Sequence, residues 1–268
     1  MNQEQTTGRL LFECRDVHFA YQGRFPAVCG IDMTISRGQR IAFLGANGCG
    51  KSTLLNLLDG LVFPDKGAVR YEDRELTEAA FLDRRFSAAF RQTVGLVFQN
   101  PDVQLFCPTV REDIAFGPLQ LGTAEVTVKA RTASLAETLS ITHLLDRSPH
   151  QLSVGEKRKV AFATVLAMDP DVLLLDEPTA GLDPQTSTHL IEMLSTAAGS
   201  GKTVVTATHD LHIIEDIADT VYVFGQDRRL AGHGSPAEIL ADTALLQANN
   251  LIHWHSHHAR DHRVMKTA

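Results

Sequence analysis

The residues best suited to chemistry are Gly45, Ala46, Asn47, Gly48, Cys49, Gly50, Lys51, Ser52 and Thr53, which fit the pattern G-x-x-x-x-G-K-[ST]. Glycines at 45, 48 and 50 let the backbone curl tightly, and free N–H groups at a following helix start point at an anion. Lys51 can set a point charge on the β and γ phosphates of a nucleoside triphosphate, and the Ser52 hydroxyl can reach a magnesium ion. The pattern carries this meaning only between a strand and a helix. Ile41 to Leu44 reads as that strand and Leu54 to Leu58 as that helix, so the expected ligands are a nucleoside triphosphate and Mg2+.

Further candidates stand where strands end. Val172 to Leu175 runs straight into Asp176 and Glu177. In a parallel sheet the ligand edge is the carboxyl end of the strands, which places both acids beside the phosphate loop. Asp176 suits the magnesium shell, and Glu177 suits polarising an attacking water. The bland alternative is a solvated acidic loop. His209 follows the strand Thr203 to Ala207 and Gln99 follows Val94 to Phe98. An imidazole there can hydrogen-bond a γ-phosphate, and Gln99 can contact metal or water; either residue alone is more often structural. Ser153, Val154, Gly155 and Glu156 open a helix. Its first turn can bind an anion or simply form a capping box between Ser153 and Glu156.

The elements that must position these groups alternate. Leu10 to Cys14 and Ile31 to Ile35 read as strands around a Gly23 to Pro26 turn, with Tyr21 on the loop between them. Arg40 to Leu44 leads into the phosphate loop, and Ala68 to Tyr71 is a short strand. Thr77 to Arg91 reads as one helix. Thr109 to Leu145 reads as a helical insertion broken at Gly117-Pro118 and at Gly122. Helices Glu156 to Met168, Gln185 to Ala197 and Leu211 to Ile217 then alternate with strands at 172–175, 203–207 and 221–224. Arg228 to Leu230 adds a short strand and Pro236 to Leu240 a helix, before a loose tail beyond about residue 250. Successive strand–helix units imply a parallel sheet covered by helices.

Composition excludes other classes. The net charge of -7 argues against a chain that coats nucleic acid, and no apolar run approaches the roughly 18 residues of a spanning helix, so membrane attachment is expected through a partner. The N-terminus lacks the basic and apolar regions of a signal peptide, and four scattered cysteines without a C-x-x-C pair fit reduced thiols in the cytoplasm. Cys49 lies inside the phosphate loop, so alkylating it is expected to inhibit nucleotide binding and ATP to protect it. Residues 253–262 hold five of the 12 histidines; such spacing can bind nickel, cobalt or zinc, and a flexible terminus also tolerates it without purpose.

The order of motifs is phosphate loop, Gln99, Leu-Ser-x-Gly-Glu from Leu152, Asp176-Glu177, Gly181-Leu182-Asp183, then His209. This order resembles the ATP-binding cassette (ABC) family over roughly residues 10 to 240. The resemblance implies an α/β P-loop NTPase fold, an ABC nucleotide-binding domain with a helical subdomain near residues 100–165 and an N-terminal antiparallel β subdomain. Residues 1–9 would be a flexible N-terminus and 241–268 a short C-terminal extension. It further implies that two cassettes, here a homodimer, sandwich ATP. Tyr21 would stack on adenine, Gln99 would link the site to a membrane partner, and Ser153 and Gly155 would hold the γ-phosphate of the opposite subunit. Asp183 would contact that subunit and His209 would act as a switch. Val154 departs from the usual glycine, which bears on how closely the backbone can approach phosphate.

Gln99 to Phe106, Pro108 to Val110, Asp113 to Pro118 and Glu156 to Lys159 resemble the energy-coupling-factor branch, most of all the cobalt and nickel import ATPases of the CbiO/NikO type. That resemblance implies an ATPase peripheral to the cytoplasmic face of the cell membrane, working with a transmembrane scaffold and substrate-specific membrane components. Coupling helices would enter a groove beside Gln99, gripped by Phe98, Phe106 and Phe116 and paired with Asp102, Glu112 and Asp113; these aromatics can equally be core. A vitamin or other solute transporter is the serious alternative. A DNA-repair cassette is disfavoured by the lack of a heptad run between Lys51 and Leu152, and a paired-cassette ribosomal factor by the single phosphate loop.

Overall fold

The computed structural model describes residues 8–252, and the histidine-rich segment lies outside them. Two sheets share one core. The larger has six strands in the order β10-β9-β3-β8-β7-β6: β6 (Val94–Val97), β7 (Val172–Asp176), β8 (Thr203–Thr208), β3 (Arg40–Leu44) and β9 (Thr220–Phe224) run parallel, and β10 (Leu230–Gly234) lies antiparallel at the edge. The smaller is antiparallel, in the order β2-β1-β4-β5, from β1 (Leu10–Tyr21), β2 (Phe25–Ser36), β4 (Lys66–Tyr71) and β5 (Arg74–Glu75). The strands β7 and β8 are buried throughout, as parallel strands covered on both faces must be.

Helix α1 (Lys51–Leu58) packs Leu54, Leu55 and Leu58 between the sheets with Phe12, Ile31 and Phe43. On the other face Phe162, Leu190 and Leu194 cover Leu173 and Leu175. The helical insertion has a core of its own, with Val110, Ile114, Ala136, Ile141 and Val160 fully buried. Its helices are α4 (Val110–Gln120) and α5 (Glu125–Thr138), and α6 (Val154–Leu166) completes that core.

Several elements differ from the sequence reading. The first two strands are twelve residues each and form one hairpin turning at Gln22, Gly23 and Arg24, so Tyr21 ends a strand instead of lying on a loop. Asp16 at φ 45° and the register shifts around it break the alternation that marks a strand in sequence. The stretch from Thr77 is two helices, α2 (Glu78–Leu82) and α3 (Arg84–Thr93), because Asp83 at ψ 103° caps the second by accepting from the Arg85 and Phe86 N–H groups.

Helix α4 continues through Gly117-Pro118. Pro118 sits in the last turn and is buried with Ile114, and that packing outweighs the lost hydrogen bond; the chain breaks at Gly122, φ 80°. Helix α6 starts two residues earlier than expected, at Val154. After α7 (Pro184–Gly199), a tight turn at Leu211–Ile213 precedes α8 (Ile214–Ile217). The last strand lies at Leu230–Gly234, and α9 (Pro236–Ala241) is followed by α10 (Thr243–Ala248), which the sequence reading left out.

Candidate active site

Strand register brings the site together. Leu44 pairs with Thr208 and Asp176 with Ala207, so β3, β7 and β8 end abreast. The Gly45 N–H donates to the Thr208 carbonyl (3.3 Å) and the Glu177 N–H to the Ala207 carbonyl (2.9 Å), fastening the phosphate loop and the acidic pair to one sheet edge. Within the loop, Gly50 takes φ 107°, and a Cβ there would meet the Ala27 carbonyl oxygen at 2.2 Å, so only glycine fits. Gly48 is also left-handed, at φ 80°.

A cavity of about 390 Å³ opens above this edge. Asn47, Gly48, Gly50, Lys51, Ser52 and Thr53 line it, joined by Tyr21, Gln99 and Glu177. Lys51 is buried, with Nζ donating to the Gly45 carbonyl (2.7 Å) and the Ala46 carbonyl (3.2 Å) and lying 3.7 Å from Glu177 Oε1. Glu177 is only 4 % exposed and takes φ 48°, a left-handed conformation that costs a non-glycine residue on the order of 1–3 kcal/mol. His209 Nδ1 lies 2.9 Å from its Oε1, and the Thr208 hydroxyl donates to Oε2 at 3.4 Å. A buried carboxylate is thereby aimed between a lysine and a half-exposed imidazole.

Asp176 Oδ1 is buried and accepts no hydrogen bond, while the Ser52 hydroxyl lies beside the same carboxyl group. Burial pushes its pKa up, opposed by the Ser52 hydrogen bond; a cation held there would favour the ionised form. The donor set of a hydroxyl, a carboxylate and the nearby Gln99 amide is all hard oxygen, which fits magnesium.

Not every candidate faces the cavity. Gly45 lies at its base, where a Cβ would meet Cys49 Sγ at 2.5 Å, and Cys49 turns its side chain into the core. That thiol is 3 % exposed and pushed up by burial, so Cys49 contributes backbone to the loop while its sulfur is shielded, and a reagent must open the loop to reach it. Tyr21 stands at the mouth with its hydroxyl 3.3 Å from Thr53 Oγ1. Ser153 and Gly155 lie apart from the cavity lining, at the start of α6. There Ser153 and Glu156 form a full capping box, and Val154 is 62 % exposed. Asp183 caps α7 by accepting from the Thr186 N–H and hydroxyl.

Phe106 and Phe116 are exposed and meet edge to face at 4.9 Å. Phe98 is instead partly buried against the core. Asp113 is buried and accepts from the Phe106 and Cys107 N–H groups, Asp102 is taken by Lys157, and Glu112 closes a capping box, so none of the three is an uncommitted acid. The sequence reading missed Phe25, paired with Tyr21 across the hairpin, and Arg228 from the β9–β10 turn; both line the cavity. Neither belongs to a motif, and only the folding of the hairpin over the phosphate loop brings them there.

A P-loop NTPase is what this sheet order and cavity define. A family model described as ABC transporter matches residues 28–180, and the chain belongs to that family. It is 49% identical over 244 residues to a nickel import ATP-binding protein, NikO, of Rhodobacter capsulatus, covering 90% of this chain and 95% of that one. An energy-coupling factor transporter ATP-binding protein, EcfA, of Methanothermobacter thermautotrophicus is 42% identical over 241 residues, covering 90% and 76%. Among solved structures, cbiO1 from Clostridium perfringens, described as part of the ABC transporter complex cbiONQ, superposes with a TM-score of 0.73 at 34% identity, covering 91% of this chain and 95% of that one. The chain is thus an ABC transporter ATPase that binds and hydrolyses ATP, similar to an energy-coupling-factor transporter ATPase and to a nickel import ATPase. No helix among the described residues is long and apolar enough to cross a membrane.

Proposed function

We propose that this chain is the ATP-hydrolysing subunit of an energy-coupling-factor importer that energises uptake of nickel or cobalt ions through transmembrane partners. The observation that carries the hydrolytic part is Glu177, buried and left-handed, held 3.7 Å from Lys51 Nζ and 2.9 Å from His209 Nδ1. Glu177 accepts a hydrogen bond from the attacking water and orients it in line with the γ-phosphate. Lys51 exchanges its loop carbonyls for phosphate oxygens and neutralises charge as the bond to the leaving group lengthens. His209 reports the γ-phosphate to Glu177 through their shared contact. Tyr21 stacks on the base, and the backbone from Gly45 to Thr53 cradles the phosphates. Ser52, Asp176 and Gln99 would hold magnesium, which when bound supplies further charge neutralisation on the phosphoryl oxygens. Such a reaction is catalysed chiefly by positioning and electrostatics.

Ser153 and Gly155 lie apart from the lining of their own cavity and serve the γ-phosphate of a second copy, in a head-to-tail homodimer. The exposed Phe106–Phe116 pair receives the transmembrane scaffold, placing the chain peripherally at the cytoplasmic face of the membrane. Nucleic acid is not a partner, consistent with the net charge of -7.

The metal cargo rests on the NikO likeness, and the EcfA likeness supports a second reading as ATPase of a vitamin or other solute importer. Two measurements test these parts separately. Glu177→Gln should lower turnover about 10²- to 10⁴-fold while stabilising an ATP-bound dimer on size exclusion; wild-type turnover in this variant would sink the hydrolytic assignment. Nickel and cobalt accumulation in source cells carrying that variant should fall for the cargo metal. If neither changes, the solute reading takes its place.

A further inference from the structure

Arg158 is a buried guanidinium with no direct role in binding phosphate. It lies in the second turn of α6 at 7 % exposure, and Nη1 donates to the Glu177 carbonyl at 2.6 Å while Nη2 donates to the Gln99 carbonyl at 2.9 Å. Both acceptors are backbone oxygens. The Asp176 and Glu177 carboxylates nearby offset its charge. Burying such a group is expensive unless it is matched in this way.

We propose that Arg158 is a positioning residue for hydrolysis, fixing Glu177 through its carbonyl and tying it to α6 and to the loop after β6. Glu177 is left-handed, so its own backbone preference does not hold it in place. It is instead pinned from both ends, with the N–H on the Ala207 carbonyl and the C=O accepting from Arg158 at 2.6 Å and, less closely, from the Ala180 N–H at 3.2 Å. The loop is strapped to the same helix at two more points. Lys157 Nζ donates to Asp102 (2.6 Å), and Gln104 Nε2 donates to the Ala161 carbonyl and the Thr164 hydroxyl, both at 2.7 Å. Of these straps, Arg158 alone also reaches Glu177. A shift of the loop therefore reaches the carboxylate through one side chain, and so does a shift of α6, whose start carries Ser153. The planar fork of arginine aims two N–H groups at two separate carbonyls, whereas a lysine ammonium supplies the charge without that fork.

This inference rests on the reading that Glu177 orients the water, so Glu177→Gln is measured beside it. The full-length chain is assayed as wild type, Arg158→Lys, Arg158→Met and Glu177→Gln for steady-state ATPase, equilibrium binding of a fluorescent ATP analogue, and melting. Arg158→Lys is expected to keep ATP affinity within about threefold and to melt near wild type, yet to lose about 10- to 100-fold in kcat, the cost of displacing a reacting group by about an ångström. Arg158→Met should lose at least as much. Wild-type kcat in Arg158→Lys would overturn the proposal, as would losses of affinity, melting temperature and kcat in equal measure. Turnover retained in Glu177→Gln would instead remove the Glu177 reading. Asp102→Ala, at an exposed carboxylate, keeps the tie testable if neither Arg158 variant folds. A fall in kcat of about threefold or more at unchanged ATP affinity is expected, and unchanged kcat would overturn the tie.

Discussion

The sheet edge beneath the cavity and the start of α6 both present groups suited to phosphate, and they are built in opposite ways. At the edge, Lys51, Asp176, Glu177 and Arg158 are all buried, Glu177 and Gly50 hold left-handed backbone, and one Asp176 oxygen has no hydrogen bond. At the start of α6, Ser153 is satisfied by a residue three positions on, the backbone is relaxed and Val154 stands in solvent. The first arrangement is strained and preorganised by contacts far apart in sequence; the second is a local motif on the surface. The difference teaches that the edge is built to engage a nucleotide within one chain, whereas the start of α6, under the proposed homodimer, would act only on a nucleotide that a second copy brings to it.

Removing the lysine should break the edge most severely. Lys51→Ala deletes a buried cation and two bonds to the loop carbonyls. A loss of about 100-fold in ATP affinity, about 2.7 kcal/mol, is expected by titration. A change under about threefold would show that the loop backbone binds phosphate unaided, and the contrast between the two regions would narrow.

Ser153→Ala sharpens the contrast from the other side. Loss of the cap costs about 1 kcal/mol, or about 2–4 °C in melting temperature. ATP affinity of the chain should stay within about twofold while turnover falls about 10-fold or more. Weakened ATP binding in the isolated monomer would mean that the two regions belong to one site within a chain.

The smallest effect lies at the far end of the phosphate-loop helix. Asp59 caps α1 and is paired with Arg91 on α3 (2.8 Å), yet burial pushes its pKa up from 3.8 to about 7, against the lowering pull of Arg91. The folded state therefore holds this proton more tightly than the unfolded chain does. The stability that Asp59 contributes is fully present at low pH, declines as pH rises from about 4 to 7, and is level above that. Asp59→Asn should remove that slope from the melting temperature. An unchanged slope would show that the Arg91 pair keeps Asp59 ionised throughout.

The phosphate loop was legible because its spacing is local and its flanking strand and helix are apolar on the expected faces. Asp176 and Glu177 were legible because four aliphatic residues precede them and parallel strands point their carboxyl ends one way. The long hairpin was not, since Asp16 interrupts its alternation, and α4 was cut too early because Pro118 signals a break that burial overrides. Phe25 and Arg228 left no signal, since each becomes part of the cavity only through packing between segments distant in the chain.

By itself the sequence determined the class of chemistry, the strand–helix order and the residues at strand ends, because periodicity, glycine spacing and capping act over a few positions. Only the tertiary structure decided which of those residues share a cavity, that Glu177 is held left-handed between Lys51 and His209, and that Asp113 is committed to the backbone. It also decided that Arg158 joins three segments. Those outcomes depend on burial and on hydrogen bonds between residues far apart in sequence, which the register of the sheets sets and no local pattern encodes.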